Sequence, residues 1–265
     1  MPFTPPAEYV RRPFSHDTSR GVLERRVFRR ADSGPTVILI HEAPCISART
    51  FAVADKLAQR HYTVAVPELM KEGSFGPAAL RRAIGFASFC VAHELSAFST
   101  GKTGAIVEWL RALARGEAAL NGDRPVAVIG MCFSGGFALG TILDPVVSAA
   151  VMSQPALPFP LTKRRARDLG VSPPDLEAIE RRIGDGAPLR IMRYTLDSAS
   201  PKERFDRVVK TFPACERREV PSAKKKDHSV LANSVAPEAD HDLRVALDET
   251  LAFLDRHLAP RGPSD

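Results

Sequence analysis

Residues 126–136 read Val-Ala-Val-Ile-Gly-Met-Cys-Phe-Ser-Gly-Gly, and the thiol at their centre is the chain's best-placed group for covalent chemistry. A short apolar run rich in β-branched residues ends at Gly130. Cys132 follows two positions later, and Gly135 and Gly136 come directly after Ser134. This pattern predicts a buried strand that delivers a nucleophile onto a sharp turn, with a helix leaving at once. Small neighbours are required because strand and helix approach closely while the nucleophile's backbone is strained. Two registers are open: Cys132 flanked by Gly130 and Ser134, or Ser134 flanked by Cys132 and Gly136. Cys132 sits where the turn should fall, and a thiol is intrinsically the stronger nucleophile. A buried cysteine with no chemical role would leave the glycine pattern unexplained.

A thiol nucleophile needs a base, and the base needs an orienting carboxylate. Asp197, in the Leu-Asp-Ser-Ala-Ser-Pro loop after an apolar run, is the candidate acid; its alternative is a local turn-former. His228, in Lys-Lys-Lys-Asp-His-Ser-Val, is the candidate base. His241 competes because it also lies before the final helix, where a surface position in the first turn is the simpler reading. His41-Glu42-Ala43-Pro44 follows the first fully apolar run. An acyl-transfer site needs preorganised N–H groups for the developing negative charge. The amides of Phe133 and Ala43 are the candidates, since Pro44 has no N–H. Glu42 would then point a carboxylate into the site.

These residues require elements that carry them to one edge. Residues 1–18 read as an extended proline-rich leader, and 22–29 as a strand between turns. Residues 36–41 form an apolar run expected of a strand buried on both faces. Residues 48–60 have helical spacing, and 62–66 form the next strand, so this strand-helix-strand unit predicts parallel pairing. Helices are expected around 78–96 and over 101–115, the latter holding Trp109 on its apolar face. The 126 strand and the elbow lead into a helix from 133 to about 143. Further strands are expected at 147–152, 189–194 and 216–220. A loop over 155–160 opens a charged helical stretch, 161–187, with Ser172 as N-cap before two prolines. An amphipathic helix spans 243–257. The whole reads as one α/β domain over residues 1–265 with a mostly parallel sheet and helices on both faces. Its core runs from about 20 to 258, a helical insertion at about 155–188 is a candidate lid, and 259–265 is a flexible tail.

Bulk properties narrow the classes of function. The 265 residues are 44% hydrophobic and 26% charged, enough for a substantial core and too apolar for general disorder. A net charge of +6 is spread along the chain without aromatic interleaving, which argues against nucleic acid and is compatible with an anionic small molecule. Four cysteines form no C-x-x-C pair, so neither a disulfide framework nor a zinc site is indicated. No run approaches the ~18 apolar residues of a membrane span, and no signal peptide is evident, so a cytoplasmic location is expected. The basic runs 163–167 and 224–226 read as solvated surface, or as groups that attract an anion.

Taken together, Gly130-Met-Cys132-Phe-Ser-Gly-Gly, His41-Glu42, Asp197 and Asp227-His228-Ser229 resemble the dienelactone hydrolase family of α/β-hydrolases, over about residues 20–258. The resemblance implies a Cys132-Asp197-His228 triad, a site glutamate at Glu42, and cofactor-free, metal-free hydrolysis of a small-molecule ester or lactone through a thioacyl intermediate. Two departures stand out. The family's motif is Gly-x-Cys-x-Gly-Gly, whereas this chain inserts Ser134, which predicts a shifted helix start. The arginines with which the family holds a substrate carboxylate have no clear match, although Arg81 and Arg82 lie in the corresponding region. Against this reading stand a serine esterase using Ser134 and a non-catalytic binding module of the same fold. Nothing in the sequence speaks to oligomeric state.

Overall fold

The computed structural model describes residues 3–70, 103–224 and 226–258. Six short apolar or alternating runs become parallel strands because the helices between them return the chain over a sheet face. In chain order the strands are β1 (Val10–Thr18), β2 (Gly21–Arg30), β3 (Thr36–Ile40), β4 (Thr63–Pro67), β5 (Val126–Met131), β6 (Val147–Ser153), β7 (Leu189–Tyr194) and β8 (Glu216–Val220). Among the described residues they form one eight-stranded sheet ordered β1-β2-β4-β3-β5-β6-β7-β8. The β1–β2 and β2–β4 pairs are antiparallel, and every other pair is parallel.

The helices are α1 (Ala48–Ala58), α2 (Ala105–Leu120), α3 (Gly135–Thr141), α4 (Lys163–Arg167), α5 (Pro173–Gly184), α6 (Lys202–Thr211), α7 (Val230–Ser234) and α8 (His241–Leu258). Alternation within the strands divides the core into two layers. In β3, Ile38 and Ile40 face a cluster that includes Trp109 of α2, Leu139 of α3, Ile179 of α5 and Phe205 of α6. Val37 and Leu39 face the other cluster, with Phe51 of α1, Leu231 of α7 and Phe253 of α8. Helices therefore cover both faces, as the apolar strand runs require.

Several boundaries differ from the expectation. The segment read as an extended leader holds β1, a full strand paired with β2 from Val10 to Thr18. Its polar residues hid it, because it is an edge strand and only alternate side chains turn inward, with Phe14 meeting Trp109 edge-on at 5.3 Å. The charged stretch 161–187 is two helices, α4 and α5, separated by residues 168–172, where Asp168 is already extended at ψ 135° and Gly170 takes φ +74°. Helix α6 was not anticipated: its buried face is narrow, Arg204, Phe205 and Val208, and one of the three is charged. The helices expected around 78–96, the tail 259–265, and Arg81 and Arg82 lie outside the described residues.

The segment 155–168 is held down from inside the fold. Arg204 is fully buried and its guanidinium donates to the carbonyls of Asp168 (2.8 Å), Pro155 (2.8 Å), Pro158 (2.5 Å) and Arg165 (2.9 Å). A planar fork of N–H donors matches such a set of converging carbonyls, which a lysine would not. Ala156 adds a tie beside Pro155, donating its N–H to the Cys132 carbonyl at 2.9 Å.

Candidate active site

The elbow at the end of β5 has the conformation its residues predicted. Cys132 adopts φ +59°, in the left-handed region that costs a non-glycine residue energy and persists only where the surroundings impose it. The turn Cys132–Ser134 is a single 3₁₀ turn, and α3 begins at Gly135 rather than at residue 133, the shift expected from the extra serine. Close packing dictates the glycines. A Cβ on Gly130 would fall on the Ser134 carbonyl, and one on Gly135 would stand 2.8 Å from Pro155 Cα. Cys132 is buried, at 5% exposed.

The two registers meet very different surroundings. Ser134 is 0% exposed and lies in helical backbone, with φ −92° and ψ −3°. Its Oγ accepts the Met131 N–H at 2.9 Å, and its proton faces the carbonyls of Met131 (2.8 Å), Ile40 (3.3 Å) and His41 (3.3 Å). The hydroxyl thus ties the elbow to the end of β3. Cys132, by contrast, faces His228, and its interaction with the imidazole is one of the causes that raise that ring's pKa.

His228 and Asp197 come from loops after β8 and β7 and meet at the same sheet edge. His228 Nδ1 and Asp197 Oδ2 are 2.7 Å apart, which leaves Nε2 as the ring nitrogen for Cys132. Burial alone would lower the imidazole's pKa. The hydrogen bonds to Asp197 and Cys132, with the negative charge of both, outweigh it and raise the pKa to about 10. Asp197 is itself fixed: its Oδ1 accepts the N–H groups of Ala199 (2.9 Å) and Ser200 (3.1 Å). Beneath it, buried Arg193 donates to the carbonyls of Asp197 (3.1 Å) and Ser200 (2.8 Å). His241, the competing base, is the exposed first residue of α8.

Glu42 also reaches this edge, but its hydrogen bonds go to neutral donors. Gln154 Nε2 donates to Oε1 at 2.5 Å, and Ser229 Oγ donates to Oε2 at 2.7 Å. Burial raises the carboxyl's pKa, opposed by those two donors and by the charges of His228 and Arg49. The neighbouring His41 is completely buried; its Nδ1 lies 2.7 Å from the Glu42 carbonyl and its Nε2 accepts the Leu69 N–H at 3.1 Å. That pairing makes Nδ1 the donor, and burial pushes the ring's pKa down to about 4, so His41 is a neutral strut under the Glu42–Ala43 turn. Ala43 and Phe133 follow the ends of β3 and β5, which pair as adjacent parallel strands, so their amides belong to the same end of the sheet. Helix α4 carries Lys163, Arg164 and Arg167 on the exterior, and Lys224 is exposed in the His228 loop.

One contributor escaped the sequence reading, and one was read without its role. Gln154 carries no motif of its own, although a glutamine directly after a mostly apolar strand was a usable signal, and His41 was read only as part of the strand end that brings Glu42 to the site. None of Cys45, Cys132 and Cys215 is in a disulfide. Among the described residues, no cluster of three or more metal-ligating side chains occurs, and no helix is long and apolar enough to cross a membrane.

Comparison with known proteins identifies the family and the fold. Residues 23–172 match the model of the dienelactone hydrolase family. No curated protein matches the chain in sequence. Among solved structures, a dienelactone hydrolase from Anabaena variabilis is similar, at 14% identity and a TM-score of 0.58, over 95% of this chain and 99% of that one. Est1E from Butyrivibrio proteoclasticus gives 14% and 0.59, over 93% and 99%. A cold-adapted esterase from an Arctic intertidal metagenomic library gives 15% and 0.62, over 96% and 97%. At such identities the likeness is one of fold.

Proposed function

The chain belongs to the dienelactone hydrolase family and is a carboxylic ester hydrolase, and from that premise we propose that it cleaves a small-molecule ester or lactone with Cys132 as nucleophile. The observation that carries this reading is the continuous chain Cys132–His228–Asp197, begun at a residue held at φ +59°. The buried Ser134 hydroxyl, engaged wholly with backbone, supports the cysteine register over the serine one.

In this mechanism His228 stands beside Cys132 as an imidazolium, the counter-ion of a thiolate. The thiolate attacks the ester carbonyl carbon, and the carbonyl electron pair moves onto oxygen, toward the amides of Ala43 and Phe133. The tetrahedral species collapses with cleavage of the C–O bond. His228 Nε2 gives its proton to the departing alkoxide, which in a lactone remains attached to the acyl group. A water then gives a proton to His228 and attacks the thioester carbon. The thiolate leaves, the carboxylic acid product is released, and the imidazolium is restored. Asp197 holds the ring and its tautomer throughout.

The test is a panel of p-nitrophenyl esters, thioesters and unsaturated lactones, with iodoacetamide and a fluorophosphonate as labels. Cys132→Ala is expected to abolish both hydrolysis and alkylation at this position. Hydrolysis surviving in Cys132→Ala, with fluorophosphonate found on Ser134, would establish the serine mechanism instead.

A further inference from the structure

The geometry points to Gln154 as a positioning residue that fixes the Glu42 carboxylate and the His228 loop relative to one another, a role that rests on the catalytic reading of Cys132 and His228. Gln154 is the first residue after β6 and is 0% exposed. Its φ of +35° is unfavourable for a side chain with a Cβ, so the surrounding structure holds it there. Its backbone N–H is donated to the Met192 carbonyl of β7 at 2.7 Å.

The orientation of the amide follows from its neighbours. Val230 N–H, at the start of α7 and two residues beyond His228, can only donate, and it does so to Gln154 Oε1 at 3.2 Å. Ser153 Oγ donates to the same oxygen. The NH₂ group therefore faces Glu42, which must accept. One side chain thus connects the ends of β3 and β6 with the segment carrying the base. An amide does not titrate, so these connections persist over the whole working range of pH.

The consequence is electrostatic. Glu42 is faced by Gln154 from the end of β6, by Ser229 and His228 from the loop before α7, and by Arg49 from α1. Arg49 is itself engaged with Asn233 at 2.5 Å and Glu238 at 3.4 Å. His228 is faced by Asp197 and Cys132 as well as by Glu42. Gln154 and Ser229 favour the ionised form of Glu42, and an ionised Glu42 favours the imidazolium. Loss of the Gln154 donor raises the pH at which Glu42 ionises and weakens the support it gives to the Cys132–His228 pair.

The experiment compares wild type, Gln154→Leu, Glu42→Gln and the double variant. It records kcat and KM for p-nitrophenyl acetate and the rate of Cys132 alkylation by iodoacetamide against pH. Gln154→Leu is expected to lower kcat about tenfold with KM nearly unchanged. The acid limb of the alkylation profile should move upward by about half a pH unit or more. In the Glu42→Gln background the same substitution should cost less than about twofold, because the partner it positions is already gone. An unmoved profile, or an undiminished effect in that background, would overturn the proposal. If Gln154→Leu does not fold, Ser229→Ala and Gln154→Asn decide it: each weakens a donor to Glu42, and an acid limb unmoved in both counts against it. Hydrolysis surviving in Cys132→Ala would be a failure of the parent reading, which this profile of thiol reactivity detects separately.

Discussion

At the residue scale, the position that departs from the family pattern has a structural occupation. Ser134 supplies the acceptor for Met131 N–H and links the elbow to β3 through the Ile40 and His41 carbonyls. Ser134→Ala should therefore cost about 1–3 kcal/mol of stability, the cost of leaving a buried donor unmet, while hydrolysis stays within a few-fold of wild type. Thermal melts and p-nitrophenyl ester turnover check both parts, and a loss of activity as complete as in Cys132→Ala would sink the idea. The contrast with Cys132 explains what was legible in the sequence. Cys132, Asp197, His228 and Glu42 announced themselves because reactive residue types at strand ends suggest chemistry on their own. Gln154 did not, and His41 was noticed only as the neighbour of Glu42, since a neutral amide and a neutral imidazole take their roles from partners such as Val230 and Leu69, far away in the chain.

At the scale of elements, the five-residue apolar strands could be read directly, because burial on both faces leaves no room for polar alternation. Edge strand β1 and helix α6 were missed for different reasons: β1 turns few apolar side chains inward, and in α6 the helical spacing of Phe205, Val208 and Phe212 is set among charged residues. Helix α6 nevertheless holds the segment 155–168 through Arg204. Arg204→Leu would leave the carbonyls of Pro155, Pro158 and Asp168 without their donor, while that of Arg165 keeps the Asp168 N–H. At about 1 kcal/mol or more for each, the expected loss is at least about 3 kcal/mol. Urea denaturation measures it, and limited proteolysis should cut within 155–170 faster than in wild type. Unchanged cleavage would mean that the segment is held by other contacts, such as Ala156 N–H on the Cys132 carbonyl.

At the scale of the whole molecule, two buried histidines with opposite shifts shape the dependence of stability on pH. His41, lowered to about 4, is neutral in the fold while an unfolded chain would protonate it below its ordinary 6.5, so stability falls as pH drops from 6.5 toward 4. His228, raised to about 10, contributes fully below 6.5, and that contribution is lost as pH rises toward 10. A maximum near pH 6.5 is expected in unfolding free energies measured from pH 4 to 10. His41→Asn should flatten the acid side and His228→Gln the alkaline side, and slopes left intact in these variants would refute the assignment. The same long-range assembly has a further consequence. Asp197 stands 31 positions from His228, and Glu42 stands 187 from Ser229, so no local piece of chain can build the surroundings of Cys132. On the mechanism proposed above, the activation of Cys132 as a nucleophile would then depend on the completed tertiary structure and on no local segment. A small alkylating reagent that discriminates between thiols by reactivity is thereby a probe of native folding as much as of catalysis.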